Sequence, residues 1–121
     1  MAPSTPLAPI ISVILCTRNR ADLFGKAMAS ILAQDFPRSA YEIVVVDNGS
    51  CDHTRDVAQR YTTEANVRYL LEERVGLCVA RNTGWRAASA PYVALFDDDA
   101  IARPRWLAAT CSSGWRCWRS R

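Results

Sequence analysis

Three consecutive aspartates, Asp97, Asp98 and Asp99, are the residues of this sequence best suited to chemistry. They follow a mostly apolar run from Pro91 to Phe96 that is typical of a short buried strand. Two adjacent carboxylates about 5 Å apart repel each other by roughly 3 kcal/mol at an effective dielectric constant of about 20. A hard divalent cation can offset this charge, since it takes oxygen ligands from one or two carboxylates together with substrate phosphates. The alternative is an acidic turn in which an aspartate caps the next helix.

Polar residues follow two other apolar runs in the same way. The run from Ile10 to Cys16 is followed by Thr17, Arg18, Asn19 and Arg20, and the run from Tyr41 to Val46 by Asp47, Asn48, Gly49 and Ser50. The forked guanidinium groups could offset the charge of a diphosphate, and Asp47 could accept hydrogen bonds from a ribose or a base. The alternative is that these residues form solvated turns, in which Asp47 only stabilises the turn that follows its strand.

The elements between these groups predict a fold that brings them together. Helical periodicity between Asp22, a candidate N-cap, and Pro37 predicts a helix after the first strand. The remaining predicted elements are, in order, a helix capped by Ser50 or Asp52, a strand over 66–71, a helix over 77–88 and the Pro91–Phe96 strand. Alternating strands and helices indicate βαβ units, a parallel sheet and right-handed crossovers. We therefore predict an α/β fold, a Rossmann-like three-layer sandwich with a mainly parallel sheet, which binds ligands at the carboxyl ends of its strands.

Composition excludes several classes of protein. The 121 residues suffice for one domain. Half of the residues are hydrophobic and 22% are charged, which is typical of a globular chain. A net charge of +3 is too small to indicate nucleic-acid binding but suits an anionic ligand. The five cysteines form no Cys-x-x-Cys pair, which disfavours zinc and disulfides and favours reduced thiols in the cytoplasm. No apolar run reaches the ~18 residues that cross a bilayer.

Composition also predicts three segments. Residues 1–9 form a flexible proline-rich leader that lacks the features of a signal peptide. Residues 10–109 form the domain. Residues 110–121 form an irregular tail rich in Trp, Arg and Cys, for which a frayed end is expected. Contact of that tail with a membrane surface, which would make the protein membrane-peripheral, is the alternative.

The ordered motifs resemble those of family 2 glycosyltransferases, which have the GT-A fold. The resemblance covers roughly residues 10–108 and is carried by Val13–Arg20 with Ile31–Gln34, Ile43–Ser50, Gly76–Leu77 with Ala80–Gly84, Phe96–Asp99, and Pro104–Leu107. Each motif alone is weak evidence, but their shared order is specific. No Gly-x-Gly-x-x-Gly follows the first strand, so a nicotinamide-binding Rossmann domain is disfavoured.

The resemblance implies that residues 10–109 bind a nucleotide-diphospho-sugar such as a UDP-sugar. The nucleotide-binding residues it implies are Thr17, Arg18, Asn19, Arg20, Asp47, Asn48, Gly49, Arg81, Asp97 and Asp98. Asp47 would contact the base, Asp97 the ribose, and Arg81 would lie near the diphosphate. Asp99, together with Asp97 in the Asp-x-Asp motif, would ligate Mg²⁺ or Mn²⁺, which would stabilise the departing nucleoside diphosphate as the sugar is transferred with inversion.

The sequence departs from the family pattern after Ala108. No later acidic motif supplies the general base and no acceptor-binding half follows, so we assign no catalytic residue and leave the acceptor open. We expect a truncated or frame-shifted donor-binding portion, with self-association through exposed apolar surface. The alternatives are a non-catalytic nucleotide-sugar or metal-binding module and a Mg²⁺-dependent receiver-like or phosphatase domain. A receiver-like site would place acidic residues on the first strand, which in this sequence ends in Thr-Arg-Asn-Arg.

Overall fold

Strands and helices alternate along the chain in the computed structural model, which describes residues 8–112 and 118–119. The elements are β1 (Ile11–Thr17), α1 (Ala21–Leu32), β2 (Tyr41–Asp47), α2 (Thr54–Tyr61), β3 (Val67–Leu71), α3 (Leu77–Ala87), β4 (Tyr92–Asp97), α4 (Trp106–Ser112) and β5 (Trp118–Arg119). A 3₁₀ turn over Arg38–Ala40 precedes β2.

The strands form one sheet in the order β3-β2-β1-β4-β5. The first four strands are parallel, and β5 pairs antiparallel with β4. The register sets Cys16 level with Asp97 on one side of β1, and Thr17 level with Asp47 on the other. The predicted α/β fold with a mainly parallel sheet is therefore confirmed.

Helices cover both faces of the sheet and produce the three predicted layers. On one face α1 buries Phe24, Met28 and Ile31, which share a stripe at helical spacing, and α4 adds Leu107. On the other face α3 packs its Ala80 against an apolar cluster of β1 and β2 side chains. Because β1 and β2 are buried on both faces, their sequences are continuous apolar runs rather than alternating ones.

The first two helices begin where a loop carboxylate can cap them. α1 begins at Ala21 and not after Asp22, and the Asp52 carboxylate accepts a hydrogen bond from the Ala21 backbone amide at 3.4 Å. The other oxygen of Asp52 accepts from the Thr54 amide at 2.9 Å, at the start of α2. The N-cap residue of α2 is His53, so neither predicted cap, Ser50 or Asp52, occupies that position, although the Asp52 carboxylate contacts the first turns of both helices. Asp22 lies within the first turn of α1.

The two ends of the chain are described in part. The helix α4 continues to Ser112, into the segment 110–121 that was predicted to be irregular, and Trp118–Arg119 of that segment forms β5. Residues 1–7 of the predicted leader, with 113–117 and 120–121 of the predicted tail, lie outside the described residues.

A buried carboxylate joins the strands at the edge of the sheet where they begin. Glu42 of β2 accepts hydrogen bonds from the Ser12 hydroxyl, from the Ser89 amide at 2.7 Å and from Arg68 Nε at 3.1 Å. Burial raises the pKa of Glu42, but these hydrogen bonds outweigh it and hold the pKa below its ordinary value. The carboxylate thus links β1, β2, β3 and the start of β4 far from the strand ends that carry the polar loops.

Close packing of α3 on the sheet makes Gly84 sensitive to substitution. A methyl group added at Gly84 would lie 2.4 Å from Ile14 Cγ2 of β1, a distance at which the helix must move. We expect Gly84→Ala to lower the free energy of unfolding by about 1–3 kcal/mol, because overpacking a core is destabilising. Urea unfolding followed by circular dichroism measures this.

Gly25→Ala in α1 is the matched control. Its added methyl group would meet Val57 Cγ1 at 3.6 Å, an ordinary contact. Alanine is the better helix former, so this variant should gain up to about 1 kcal/mol. Equal responses of the two variants would contradict the packing account.

Candidate functional site

A cleft of about 520 Å³ opens at the carboxyl ends of β1 and β4. These neighbouring parallel strands belong to crossovers on opposite faces of the sheet, since β1 leads into α1 whereas β4 follows α3. Such a switch in strand order leaves a crevice in which α/β proteins bind ligands. The polar lining residues are Thr17, Arg18, Asn19, Arg20, Asn48, Arg81, Asp97, Asp98 and Asp99, each of which was a predicted site residue.

The acidic triplet divides into one inward and two outward carboxylates. Asp98 accepts a hydrogen bond from the Thr17 hydroxyl at 2.9 Å and lies 3.3 Å from Arg20 Nη1, with a side chain only 12% exposed. The side chains of Asp97 and Asp99 are 73% and 56% exposed. Asp98 therefore anchors the turn to β1, while the other two carboxylates are exposed in the cleft.

Each outward carboxylate also faces an arginine. Arg20 Nη1 lies 3.8 Å from Asp99, and Arg81 Nη2 on α3 lies 3.9 Å from Asp97. Exposed ion pairs of this kind contribute little, about 0.2–1 kcal/mol. They can therefore open when a ligand offers either group a better partner.

The loop after β1 is joined to the loop after β2 through Asn19. This residue adopts a left-handed backbone conformation with φ of 53°, which asparagine tolerates better than most side chains. Its backbone N–H donates to the Ser50 hydroxyl at 3.0 Å, and its side-chain oxygen accepts from the backbone N–H of Cys51 at 2.6 Å. Arg18 Nε adds a bond to the Asn48 carbonyl at 3.1 Å. The two loops therefore form one wall of the cleft.

The side chain of Asn48 holds the segment that leads into α3. Its Nδ2 donates to the carbonyls of Glu72 and Arg74 at 2.9 and 2.8 Å, and its Oδ1 accepts from the Gly76 amide at 2.9 Å. Gly76 lies at φ 151°, which a residue with a side chain adopts only with strain. This arrangement directs the first turn of α3, with its unpaired backbone N–H groups, toward the cleft.

Behind this segment lies Glu72, a residue that sequence reasoning did not single out. Its carboxylate accepts hydrogen bonds from Arg74 Nη2 at 3.0 Å and from the Thr83 hydroxyl of α3 at 2.6 Å. The hydrogen bonds from Arg74 and then from Thr83 lower the pKa of Glu72 to about 2. A signal was present, because Glu72 directly follows β3 just as the predicted site residues follow the other strands.

Two predicted residues, Asp47 and Gly49, lie beside the cleft and not in its lining. Asp47 is 1% exposed, and its oxygens accept from the Tyr69 hydroxyl at 2.6 Å and the Ser50 amide at 3.0 Å. Burial, followed by the hydrogen bond to Asp47, raises the pKa of Tyr69 well above its ordinary value. Gly49 supplies the turn, with φ of 72°. In this conformation both residues support the wall of the cleft.

The remaining lining is mainly apolar and includes one thiol. Val75, Leu77 and Leu95 are exposed at the rim. Burial raises the pKa of the Cys16 thiol to about 11, so at neutral pH it is protonated and unsuited to nucleophilic attack. Cys16 therefore contributes shape to the cleft and no charge.

The outward carboxylates suit a divalent cation that shares its ligands with a substrate. Within 8–112 and 118–119, no three His, Cys, Asp or Glu side chains form a closed metal site. Asp97 and Asp99 provide two exposed carboxylates, which match an ion that binds one or two protein carboxylates and completes its shell with phosphate oxygens. The residues present therefore fit Mg²⁺ or Mn²⁺ bound together with a phosphorylated ligand.

Comparison with protein families decides to which family this chain is related. The model of glycosyl transferase family 2 matches residues 12–110. This chain belongs to glycosyl transferase family 2. Validoxylamine A glucosyltransferase of Streptomyces hygroscopicus subsp. jinggangensis is 35% identical over 115 residues, which are 93% of this chain and 27% of the relative. Glycosyltransferase AglE of Haloferax volcanii is 37% identical over 105 residues, 85% of this chain and 34% of the relative.

Solved structures agree and have the GT-A fold that the resemblance implied. The mannosyltransferase PcManGT of Pyrobaculum calidifontis, in complex with GDP-Man and Mn²⁺, superposes with a TM-score of 0.80 at 31% identity, covering 88% of this chain and 32% of that one. S. aureus TarS 1–349 in complex with UDP-GlcNAc superposes with a TM-score of 0.76 at 27% identity, covering 84% and 30%. The chain thus spans about a third or less of these relatives. None of the helices described here is both long and apolar enough to cross a membrane.

The charge on Glu72 should support the cleft above acidic pH. Its folded-state pKa of about 2 lies below the ordinary value of 4.5, so its stabilising contribution is present above pH 4.5 and is lost as the pH falls toward 2. We expect Glu72→Gln to lower the free energy of unfolding at pH 7, and the difference from wild type to shrink over this acidic range. Urea unfolding at several pH values measures the difference.

Glu73→Gln is the control, because Glu73 is exposed and adjacent in sequence. Its difference from wild type should change little over the same range. A Glu72→Gln difference that is independent of pH would contradict the assigned hydrogen bonds.

Proposed function

We propose that this chain is the donor-binding part of a glycosyltransferase that takes a nucleotide-diphospho-sugar and transfers the sugar to an acceptor with inversion, assisted by a divalent metal ion. The observation that carries the proposal is the meeting of outward carboxylates, arginines and a helix N-terminus in one cleft at the switch in strand order. A nucleotide-diphospho-sugar with its metal ion has the matching chemistry, since it offers phosphate oxygens to both the cation and the arginines.

The lining suggests a division of roles within the cleft. Asp97 and Asp99 would hold the metal ion, which when bound would stabilise the charge of the departing nucleoside diphosphate. Arg20 and Arg81 would offset phosphate charge, with the first turn of α3 adding backbone N–H groups. Thr17, Arg18 and Asn48 would shape the nucleotide end. Asp47 would reach the base only if its bond to Tyr69 opened.

The relatives support this proposal by what they bind. One structural neighbour holds GDP-Man and Mn²⁺, and another holds UDP-GlcNAc. Relatives of similar sequence are named glycosyltransferase AglE, chondroitin synthase and teichuronic acid biosynthesis glycosyltransferase TuaG.

A non-catalytic nucleotide-sugar-binding module is the second candidate. Each carboxylate in the described cleft lining already faces an arginine or a hydroxyl donor. Asp97 and Asp99 are assigned here to the metal ion, and Asp98 is held by the Thr17 hydroxyl, so none of the three is left to remove a proton from an acceptor. This favours binding without transfer by the part of the protein described here.

Asp99→Asn tests the metal-dependent binding of the donor. We expect UDP affinity in the presence of Mn²⁺ to fall about tenfold or more, and the metal requirement to disappear, because an amide is a poor ligand for a hard cation. Isothermal titration calorimetry with UDP, with and without Mn²⁺, measures both effects. Asp56→Asn, an exposed carboxylate in the first turn of α2, is the control and should match wild type. Unchanged affinity and metal dependence in Asp99→Asn would refute the site.

Turnover separates the enzyme from the binding module. The purified chain is incubated with Mn²⁺ and a panel of UDP- and GDP-sugars, and release of the nucleoside diphosphate is measured. Release above the rate of the Asp99→Asn variant indicates an active transferase, with water as the acceptor. Tight binding with no release indicates the module.

A further inference from the structure

The cleft presents as many arginines as aspartates. Arg18, Arg20 and Arg81 line it together with Asp97, Asp98 and Asp99. The arginines differ in their partners, because Arg20 and Arg81 face carboxylates whereas Arg18 Nε donates to the Asn48 carbonyl. Two of the three arginine side chains thus lie beside the carboxylates that a metal ion would need.

We propose that Arg20 and Arg81 exchange partners when the donor binds, moving from Asp99 and Asp97 to the diphosphate. This inference rests on the proposed function. Its consequence is that the divalent cation and the diphosphate bind with positive coupling, because each removes an obstacle to the other. The coupling is reciprocal, since the factor by which one raises the affinity of the other must be the same in both directions.

The reason lies in the charges that each ligand meets when it binds alone. A metal ion alone must separate Arg20 from Asp99 at 3.8 Å and Arg81 from Asp97 at 3.9 Å, and it leaves both guanidinium groups beside a new positive charge. A diphosphate alone gains the arginines but exposes its charge to uncovered carboxylates. With both bound, Asp97 and Asp99 would hold the cation while Arg20 and Arg81 would bind the diphosphate, so each side chain would keep a partner of opposite charge.

The side chains can make this exchange, and Arg20 Nη1 must then also leave Asp98 Oδ1, to which it donates a hydrogen bond at 3.3 Å. Those of Arg20 and Arg81 are 52% and 41% exposed, and their distances to the outward carboxylates exceed those of a close hydrogen bond. Asp98 is different, because Thr17 also binds it and its side chain is 12% exposed. Asp98 therefore keeps the acidic turn in place while Arg20 moves.

Arg20→Met makes the proposal testable, because the proposal predicts that this variant binds Mn²⁺ alone more tightly and UDP less tightly than wild type. The affinity for Mn²⁺ alone should rise about threefold or more, since an exposed ion pair no longer competes for Asp99. The affinity for UDP in saturating Mn²⁺ should fall about tenfold, since a charged hydrogen bond to phosphate is lost. Electron paramagnetic resonance of free Mn²⁺ measures the first, and calorimetry measures the second.

Arg18→Met is the matched control, because it removes the same charge from the same cleft without freeing a carboxylate. It should weaken UDP binding but leave the affinity for Mn²⁺ alone within about twofold of wild type. If it raises Mn²⁺ affinity as much as Arg20→Met does, the effect comes from total charge and partner exchange is wrong. A purely structural role of Arg20 would instead weaken both ligands together, which would also overturn the proposal.

The remaining outcomes separate this inference from the proposed function. If Arg20→Met does not fold, as judged by circular dichroism, Arg81→Met carries the same pair of expectations through Asp97. If the wild-type chain does not bind UDP even with Mn²⁺, the proposed function fails and this inference fails with it. If the wild type binds UDP with Mn²⁺ but neither variant gains Mn²⁺ affinity, only the inference is overturned.

Discussion

The parallel pairing of β1 with β4 is the constraint on which the cleft depends. It sets Cys16 level with Asp97, so that Thr17 and Asp98 come next along adjacent strands and the Thr17 hydroxyl bonds to Asp98 at 2.9 Å. With Asp98 turned inward, the carboxylates on either side of it are the exposed members of the triplet. The same pairing joins crossovers from opposite faces, which creates the crevice itself.

Two asparagine side chains then give the loops around the cleft a defined shape. Asn19 joins the loops after β1 and β2, and Asn48 joins the loop after β2 to the start of α3. Both side chains bind backbone groups of the loops, and Asn48 uses its amide as donor and acceptor at once, which is why an asparagine suits that position. A cleft held in this way loses little entropy when a ligand binds, because its wall is already ordered.

Much of this could be predicted from the sequence, because β1 and β2 are continuous apolar runs and the polar residues follow their ends. The fold and the polar residues of the cleft lining were predicted in this way, and the family was predicted from the resemblance of the ordered motifs. Glu72 was overlooked although it follows β3 by the same rule. Helix starts were less predictable. Asp22 is a residue type that often caps helices, but it lies within the first turn of α1, and the backbone amide of Ala21 donates instead to Asp52 from a distant loop.

Local pattern alone therefore determined the strands, the order of the elements and the clustering of acidic and basic residues at one edge of the sheet. Only the tertiary structure decided which of these side chains face the cleft. Asp47 is buried because Tyr69, 22 residues along the chain, donates to it, and Asp98 turns inward because Thr17, 81 residues away, does the same. Periodicity reports burial between near neighbours along the chain, whereas hydrogen-bond partners depend on strand register and crossover direction, which bring distant residues together.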